Sequence, residues 1–199
     1  MDALQPNATP RWEWRIFGAD LAALESRLGS PTSLPRRSDE TYLLNALTPH
    51  SAKIRDEALE VKRLLRVDDG LELWEPAFRA PFPVTAEDLA AAAAALALPL
   101  PLSRLDRAAY GEARFLAEIV APCPALRAVA VRKSRLRFSF RGCAAEFVRM
   151  QIGSAPMESV ALESEDERRL AEALAALDAD PRLNVNFPKG VERAAALAI

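Results

Sequence analysis

From Val129 to Arg141 the chain reads Val-Ala-Val-Arg-Lys-Ser-Arg-Leu-Arg-Phe-Ser-Phe-Arg, with Lys133, Arg135, Arg137 and Arg141 two residues apart or a multiple of two. An extended strand sends successive side chains to opposite faces, so these cations share one side, while Leu136, Phe138 and Phe140 share the other. A strand divided in this way must bury its apolar side in a core. Its cationic side needs either water or an anion.

The same division recurs. Lys53 and Arg55 share one side of Ala-Lys-Ile-Arg, Glu60 and Lys62 one side of Leu-Glu-Val-Lys, and Arg11, Glu13 and Arg15 alternate with Trp12, Trp14 and Ile16. For one strand alone a solvated face is the ordinary outcome. Recurrence over four or five strands poses two alternatives: a broad charged sheet surface, or a sheet closed into a barrel lined by charge with helices outside. A small barrel fills its lumen with side chains, so buried cations there require acids and an anionic guest to offset their desolvation. Glu13, Glu60, Glu146, Glu163 and Glu165 are the acids at hand.

The remaining pattern predicts strands over 11–17, 40–44, 52–55, 59–65, 71–78, 129–141, 144–150 and 158–164. Asp56-Glu57 and Asp68-Asp69-Gly70 are short connections that suit antiparallel hairpins. Helices are predicted over 19–28, from a Thr85-Ala-Glu-Asp88 capping box to about Leu98 ahead of Pro99 and Pro101, over 103–119, and from Ser164 to Leu177. Asn184 to Gly190 reads as an extended tail that then turns, able to cap one end of the sheet. The sum is α+β: a large antiparallel sheet of about eight strands with helices packed outside. With 199 residues, half of them apolar, and no long polar linker, a single domain is expected, its core spanning about 11–193.

Twenty-six Lys and Arg against 28 Asp and Glu leave a net charge of −2, so bulk charge does not favour nucleic acid and any anion site must be local. Cys123, Cys143 and the single His50 lack metal-ligand spacing, so a metal would need carboxylates. Thiol catalysis at Cys143 has no histidine nearby in sequence. The amino terminus has no signal-peptide pattern, and the longest apolar run, 89–102, contains prolines and is too short for a bilayer; the expectation is a cytoplasmic protein without membrane contact. Trp12, Trp14 and Trp74 are expected to pack in apolar parities rather than stack on a base.

Taken in order, Arg-Trp-Glu13-Trp-Arg15-Ile-Phe, Lys53-Ile-Arg55, Glu60-Val-Lys62, Lys133-Ser-Arg135, Glu146 and Leu-Glu163-Ser-Glu165 resemble the strand motifs of the CYTH, or triphosphate tunnel, superfamily. The resemblance implies an eight-stranded antiparallel tunnel that holds a triphosphate with Arg and Lys and a divalent cation with glutamates. It assigns Arg15, Lys53, Arg55, Lys62, Lys133 and Arg135 to the substrate and Glu13, Glu163 and Glu165 to Mg2+ or Mn2+; Arg137, on the same cationic face as Lys133 and Arg135, is added as a substrate candidate. Glu60 and Glu146 either orient water or pair with neighbouring cations, the commoner use of close opposite charges on a sheet. The chain departs from the family's Glu-x-Glu-x-Lys signature, having Arg11 at its first position and Arg15 at its last. Two functions follow as expectations: a divalent-metal-dependent phosphohydrolase acting on inorganic triphosphate or a triphosphate-bearing compound, or a non-catalytic module that binds polyphosphate or a nucleotide. The implied partner is a small phosphorylated anion, with the protein a monomer or homodimer.

Overall fold

The computed structural model describes residues 9–100 and 105–197. Residues 103–104 of the predicted third helix, Pro101 and the first eight residues, read above for a targeting signal, lie outside them. The strands are β1 (Arg11–Gly18), β2 (Arg36–Asn45), β3 (Ser51–Arg55), β4 (Ala58–Asp68), β5 (Leu71–Pro81), β6 (Val84–Thr85), β7 (Ala109–Tyr110), β8 (Leu126–Phe140), β9 (Cys143–Ile152) and β10 (Ala155–Ser164). The helices are α1 (Ala22–Arg27), α2 (Ala86–Leu96), α3 (Glu112–Arg114, continued by a wider turn over Phe115–Val120), α4 (Glu167–Leu177) and α5 (Phe187–Leu197). Eight strands close into an antiparallel barrel in the order β1-β10-β9-β8-β2-β3-β4-β5, and β6 pairs with β7. No helix among the described residues is long and apolar enough to cross a membrane.

Hairpin turns appear where the Asp- and Gly-rich connections predict them. Asp56 and Glu57, and Asp69 and Gly70, all have positive φ, the conformation of tight turns whose twist matches that of the flanking strands. Arg141 and Gly142 form the same kind of turn, so Arg141 leaves the strand instead of extending its cationic face.

The chain divides into two compact units. One contains Glu40–Leu64 and Glu75–Ala130. In it Leu43, Ala52, Ile54, Leu59, Val61, Phe78 and Ala80 meet Leu89, Ala92 and Leu96 of α2 and Phe115 and Ile119 after α3. Helix α2 starts on the predicted capping box, with Thr85 and Asp88 bonded reciprocally, and ends where Ala97 turns left-handed at φ 49°.

The other unit contains Thr9–Asp39, Leu65–Trp74 and the chain from Val131 onward. Trp12, Trp14, Phe138, Ala145, Phe147, Val160 and Leu162 pack against Leu170, Ala173, Leu174 and Leu177 of α4. Burial of each such leucine contributes roughly 1.5–3 kcal/mol. Asp166 caps α4 by accepting from the Arg169 N–H at 3.2 Å.

Three further expectations are corrected. The helix predicted over 103–119 begins at Glu112, after β7 at Ala109–Tyr110. The tail is helical: an extended stretch ends at Asn186 and α5 begins at Phe187. Trp74 does not sit in the apolar parity. Leu71 and Leu73 join the α4 core while Phe78 and Ala80 join the α2 core, so the apolar parity changes from odd to even across Glu75-Pro76-Ala77. Pro76 has no N–H to give to a ladder, and such positions interrupt regular alternation. Trp74 is therefore set opposite Arg11, and Glu72 opposite Glu13.

Candidate functional site

Opposite the α4 core, β1, β8, β9 and β10 present one continuous charged face. Strand register places Arg137 across from Glu146, Arg135 from Val148 and Lys133 from Met150. It also sets Glu146 across from Ala161, Arg15 from Ala161 and Glu13 from Glu163. At its centre lies the buried Arg15. Its Nε donates to Glu13 at 3.0 Å, its Nη1 to the Ser159 hydroxyl at 2.9 Å, and its Nη2 to Glu146 at 3.4 Å. Burial opposes the charge of Arg15, but Glu13 and Glu146 outweigh it and raise the guanidinium above its ordinary value.

Arg135 donates through Nη1 to the other Glu146 oxygen at 3.2 Å. Its Nε and Nη2 are buried and meet no acceptor among the described residues, although Arg135 is only 8% exposed. Burial alone would raise the Glu146 carboxyl, yet Arg15, Arg135 and Lys133 together hold it below the usual carboxylate range. The result is a cluster of buried cations around the Glu146 carboxylate, with Arg15 also holding Glu13 and donor capacity left over on Arg135. Oxygen-rich anions match such planar donors well.

The face continues onto Glu72, a buried acid that sequence reasoning missed. It accepts from Trp74 Nε1 and from Asn186 Nδ2, both at 3.0 Å. Burial pushes its carboxyl above the ordinary range, against the lowering effect of those two hydrogen bonds. An acid whose folded pKa lies above its unfolded value gives stability that is complete below the unfolded pKa and is lost as pH rises through the folded one. Glu72→Gln cannot ionise, and it keeps one side-chain acceptor, its amide nitrogen standing where the second donor is received. Thermal melts should show the Tm of the variant rising relative to the wild type between pH 4 and pH 7; parallel Tm curves over that range would contradict this.

The first unit carries a charged face of its own. Lys53 lies across from Tyr42 on β2 and Glu60 on β4. Its Nζ is 3.3 Å from Glu40 and 3.7 Å from Glu60. Arg55 Nη2 reaches both Glu60 oxygens at 3.0 Å, and Arg79 Nε approaches Glu60 at 3.5 Å. Burial lowers the Lys53 ammonium, with Glu40 opposing that shift. The Arg55 Nε is buried with no acceptor among the described residues. Lys62 shares this face and is exposed.

The twelve residues singled out from the sequence thus divide between two faces. Glu13, Arg15, Lys133, Arg135, Arg137, Glu146, Glu163 and Glu165 belong to the second unit, with Arg137 and Glu165 exposed. Lys53, Arg55, Glu60 and Lys62 belong to the first. Both Glu60 and Glu146 are engaged by cations, in keeping with the pairing reading. Glu40, Glu72 and Ser159 were missed although each lies at the charged parity of its strand; Asn186 and Phe187 had no such periodic signal.

The arrangement does not fit a three-carboxylate ion site. Glu165 is exposed and pairs with Arg11 at 3.6 Å, Glu13 is bonded to Arg15, and among the described residues no three His, Cys, Asp or Glu side chains are placed to share an ion. Cys143 is buried, and burial pushes its thiol up, away from nucleophilic use. His50 lies in the loop before β3, half-buried, and its Nδ1 accepts from the Leu64 N–H at 3.3 Å.

No protein-family model and no curated protein matches the chain. Solved structures are similar in fold. One is a candidate adenylate cyclase from Bacillus halodurans, at 12% identity and a TM-score of 0.50, over 94% of this chain and 98% of that one. Another is the PH1012 protein of Pyrococcus horikoshii OT3, at 10% identity and a TM-score of 0.50, over 92% and 98%. With the closed eight-stranded antiparallel barrel, these likenesses give the chain a CYTH-like fold.

Proposed function

We propose that the charged face of β1, β8, β9 and β10 binds a compact phosphate polyanion, either inorganic triphosphate or the triphosphate group of an organic compound. The observation that carries this reading is Arg135: a buried guanidinium with two nitrogens that meet no acceptor among the described residues, beside Arg15 and Lys133. An unsatisfied buried charged donor costs about 1–3 kcal/mol or more, and a phosphate oxygen would remove that cost. The ordered strand motifs that resemble the CYTH superfamily support the same ligand class.

The reaction such a site would support is hydrolysis of the terminal phosphoanhydride. Water forms a bond to the terminal phosphorus, the bridging P–O bond breaks, and its electron pair leaves on diphosphate; the proton from water passes to solvent. Arg15, Lys133 and Arg135 would stabilise charge on the transferring and leaving oxygens, and Glu146 would orient the water. A low-pKa carboxylate tied to two guanidinium groups suits orientation better than proton abstraction. In the family pattern a divalent cation assists this step; the carboxylates here do not form its cage, so none of these roles is assigned to a metal.

A second reading, binding without turnover, is favoured by one specific observation: Arg11 occupies the first acidic position of the signature and pairs with Glu165 at 3.6 Å. One experiment separates the two. Purified protein is given inorganic triphosphate with and without Mg2+ or Mn2+, with phosphate release and calorimetric binding measured in parallel. Release with binding supports hydrolysis, and binding without release supports the second reading. Absence of both overturns the proposal.

A further inference from the structure

At the start of α5, Phe187 is 7% exposed and its ring lies under two cations of the proposed site. The Lys133 Nζ is 3.7 Å from the ring centroid and the Arg15 Cζ is 5.1 Å from it. An aromatic face carries negative quadrupole density, so it attracts a cation, most strongly where water is excluded. Lys133 and Arg15 repel one another, and a ring close to both lowers the cost of holding them together.

The position of that ring is fixed from several directions. The Arg15 N–H donates to Asn184 Oδ1 at 2.7 Å, and the Val185 N–H donates to the Arg15 carbonyl at 2.7 Å. Asn186 donates to Glu72 and accepts from the Lys189 N–H at 3.1 Å. Phe17 meets the Phe187 ring edge-on at 5.4 Å. Gly190 allows the helix to sit close, since a Cβ there would come within 2.3 Å of the Phe17 ring.

We infer that Phe187 is a positioning residue for anion binding: its ring fixes the heads of Lys133 and Arg15 so that both are ordered before the anion arrives. Ordering these long side chains in advance removes a cost that binding would otherwise carry. The inference rests on the triphosphate reading of the site. A ring already used in this way is not offered to a nucleobase, so its loss should weaken binding of the phosphate chain itself.

The test is calorimetric titration of inorganic triphosphate into the wild type, Phe187→Leu and Phe187→Tyr at one ionic strength, with thermal melts of each protein without ligand. Leucine keeps apolar volume without a π face, and tyrosine keeps the face. The expected result is affinity roughly tenfold weaker for Phe187→Leu and within about twofold of wild type for Phe187→Tyr, with the two variants melting alike. Wild-type affinity in Phe187→Leu, or equal loss in both variants, would overturn the inference while leaving the proposed function standing. A wild type that does not bind triphosphate overturns both.

Discussion

Arg135→Met should leave the protein folded and weaken triphosphate binding about 100-fold. Among the described residues the guanidinium donates through Nη1 to Glu146 at 3.2 Å, while its buried Nε and Nη2 meet no acceptor there. If a phosphate takes those two donors, charge-assisted bonds at about 1.5 kcal/mol each amount to about 3 kcal/mol, or roughly two decades of affinity. Methionine fills the volume of the arginine stem and needs no partner. Glu146 keeps Arg15, so the net stability change should stay within about 1 kcal/mol, the expectation when a poorly satisfied buried charge gives way to an apolar group. Calorimetry and a thermal melt without ligand test the two halves separately. Unchanged affinity would remove Arg135 from the site, and a large fall in Tm would show that it serves the fold instead.

Glu146→Gln should have the opposite profile, a large loss of stability. Glu146 sits 3.4 Å from Arg15 Nη2 and 3.2 Å from Arg135 Nη1, with its side chain 22% exposed. Removing its charge leaves the buried Arg135 guanidinium without that carboxylate while Arg15 keeps Glu13, and breaking a buried pair on one side costs roughly 3–5 kcal/mol. The pH dependence follows from the direction of its pKa shift. A carboxyl held below its unfolded value contributes stability that is present above that value, near pH 4.3, and is lost as pH falls through the folded pKa. Wild-type stability should therefore decline on acidification, and that part of the decline should vanish in Glu146→Gln. Added triphosphate supplies the missing negative charge, so it should raise the Tm of the variant more than that of the wild type. Equal stability of the two proteins at pH 7 would show that the ion pairs contribute nothing net.

Much of the fold is legible in local sequence because its causes are local. Alternation over Arg11–Phe17 and Lys133–Phe140 depends only on the two-residue period of a strand, and the barrel strands fall where that period is seen. The turns at Asp56-Glu57 and Asp69-Gly70 need residues that accept positive φ, and Thr85 and Asp88 cap α2 through a three-residue spacing. Where the cause is not local, the pattern misleads. Trp74 and Phe78 share a parity in sequence, yet the change of side across Pro76 sends Trp74 to the charged face. Likewise, nothing periodic in Asn184–Gly190 announces a helix whose first residue sits beneath Arg15 and Lys133.

Residue order alone requires that several strands each carry a charged side and an apolar side, and that the two sides face different environments. Which charges meet is settled by strand pairing. Glu146 lies 131 residues from Arg15 in the chain and within ion-pair distance in space, because antiparallel register through β10 puts both across from Ala161. Register is set by non-local strand pairing and by the core packed against α4, not by the spacing of charges along any single strand. The same pairing leaves Arg135 with more donors than acceptors. That imbalance arises from neighbours on other strands, so no residue pattern within β8 could encode it.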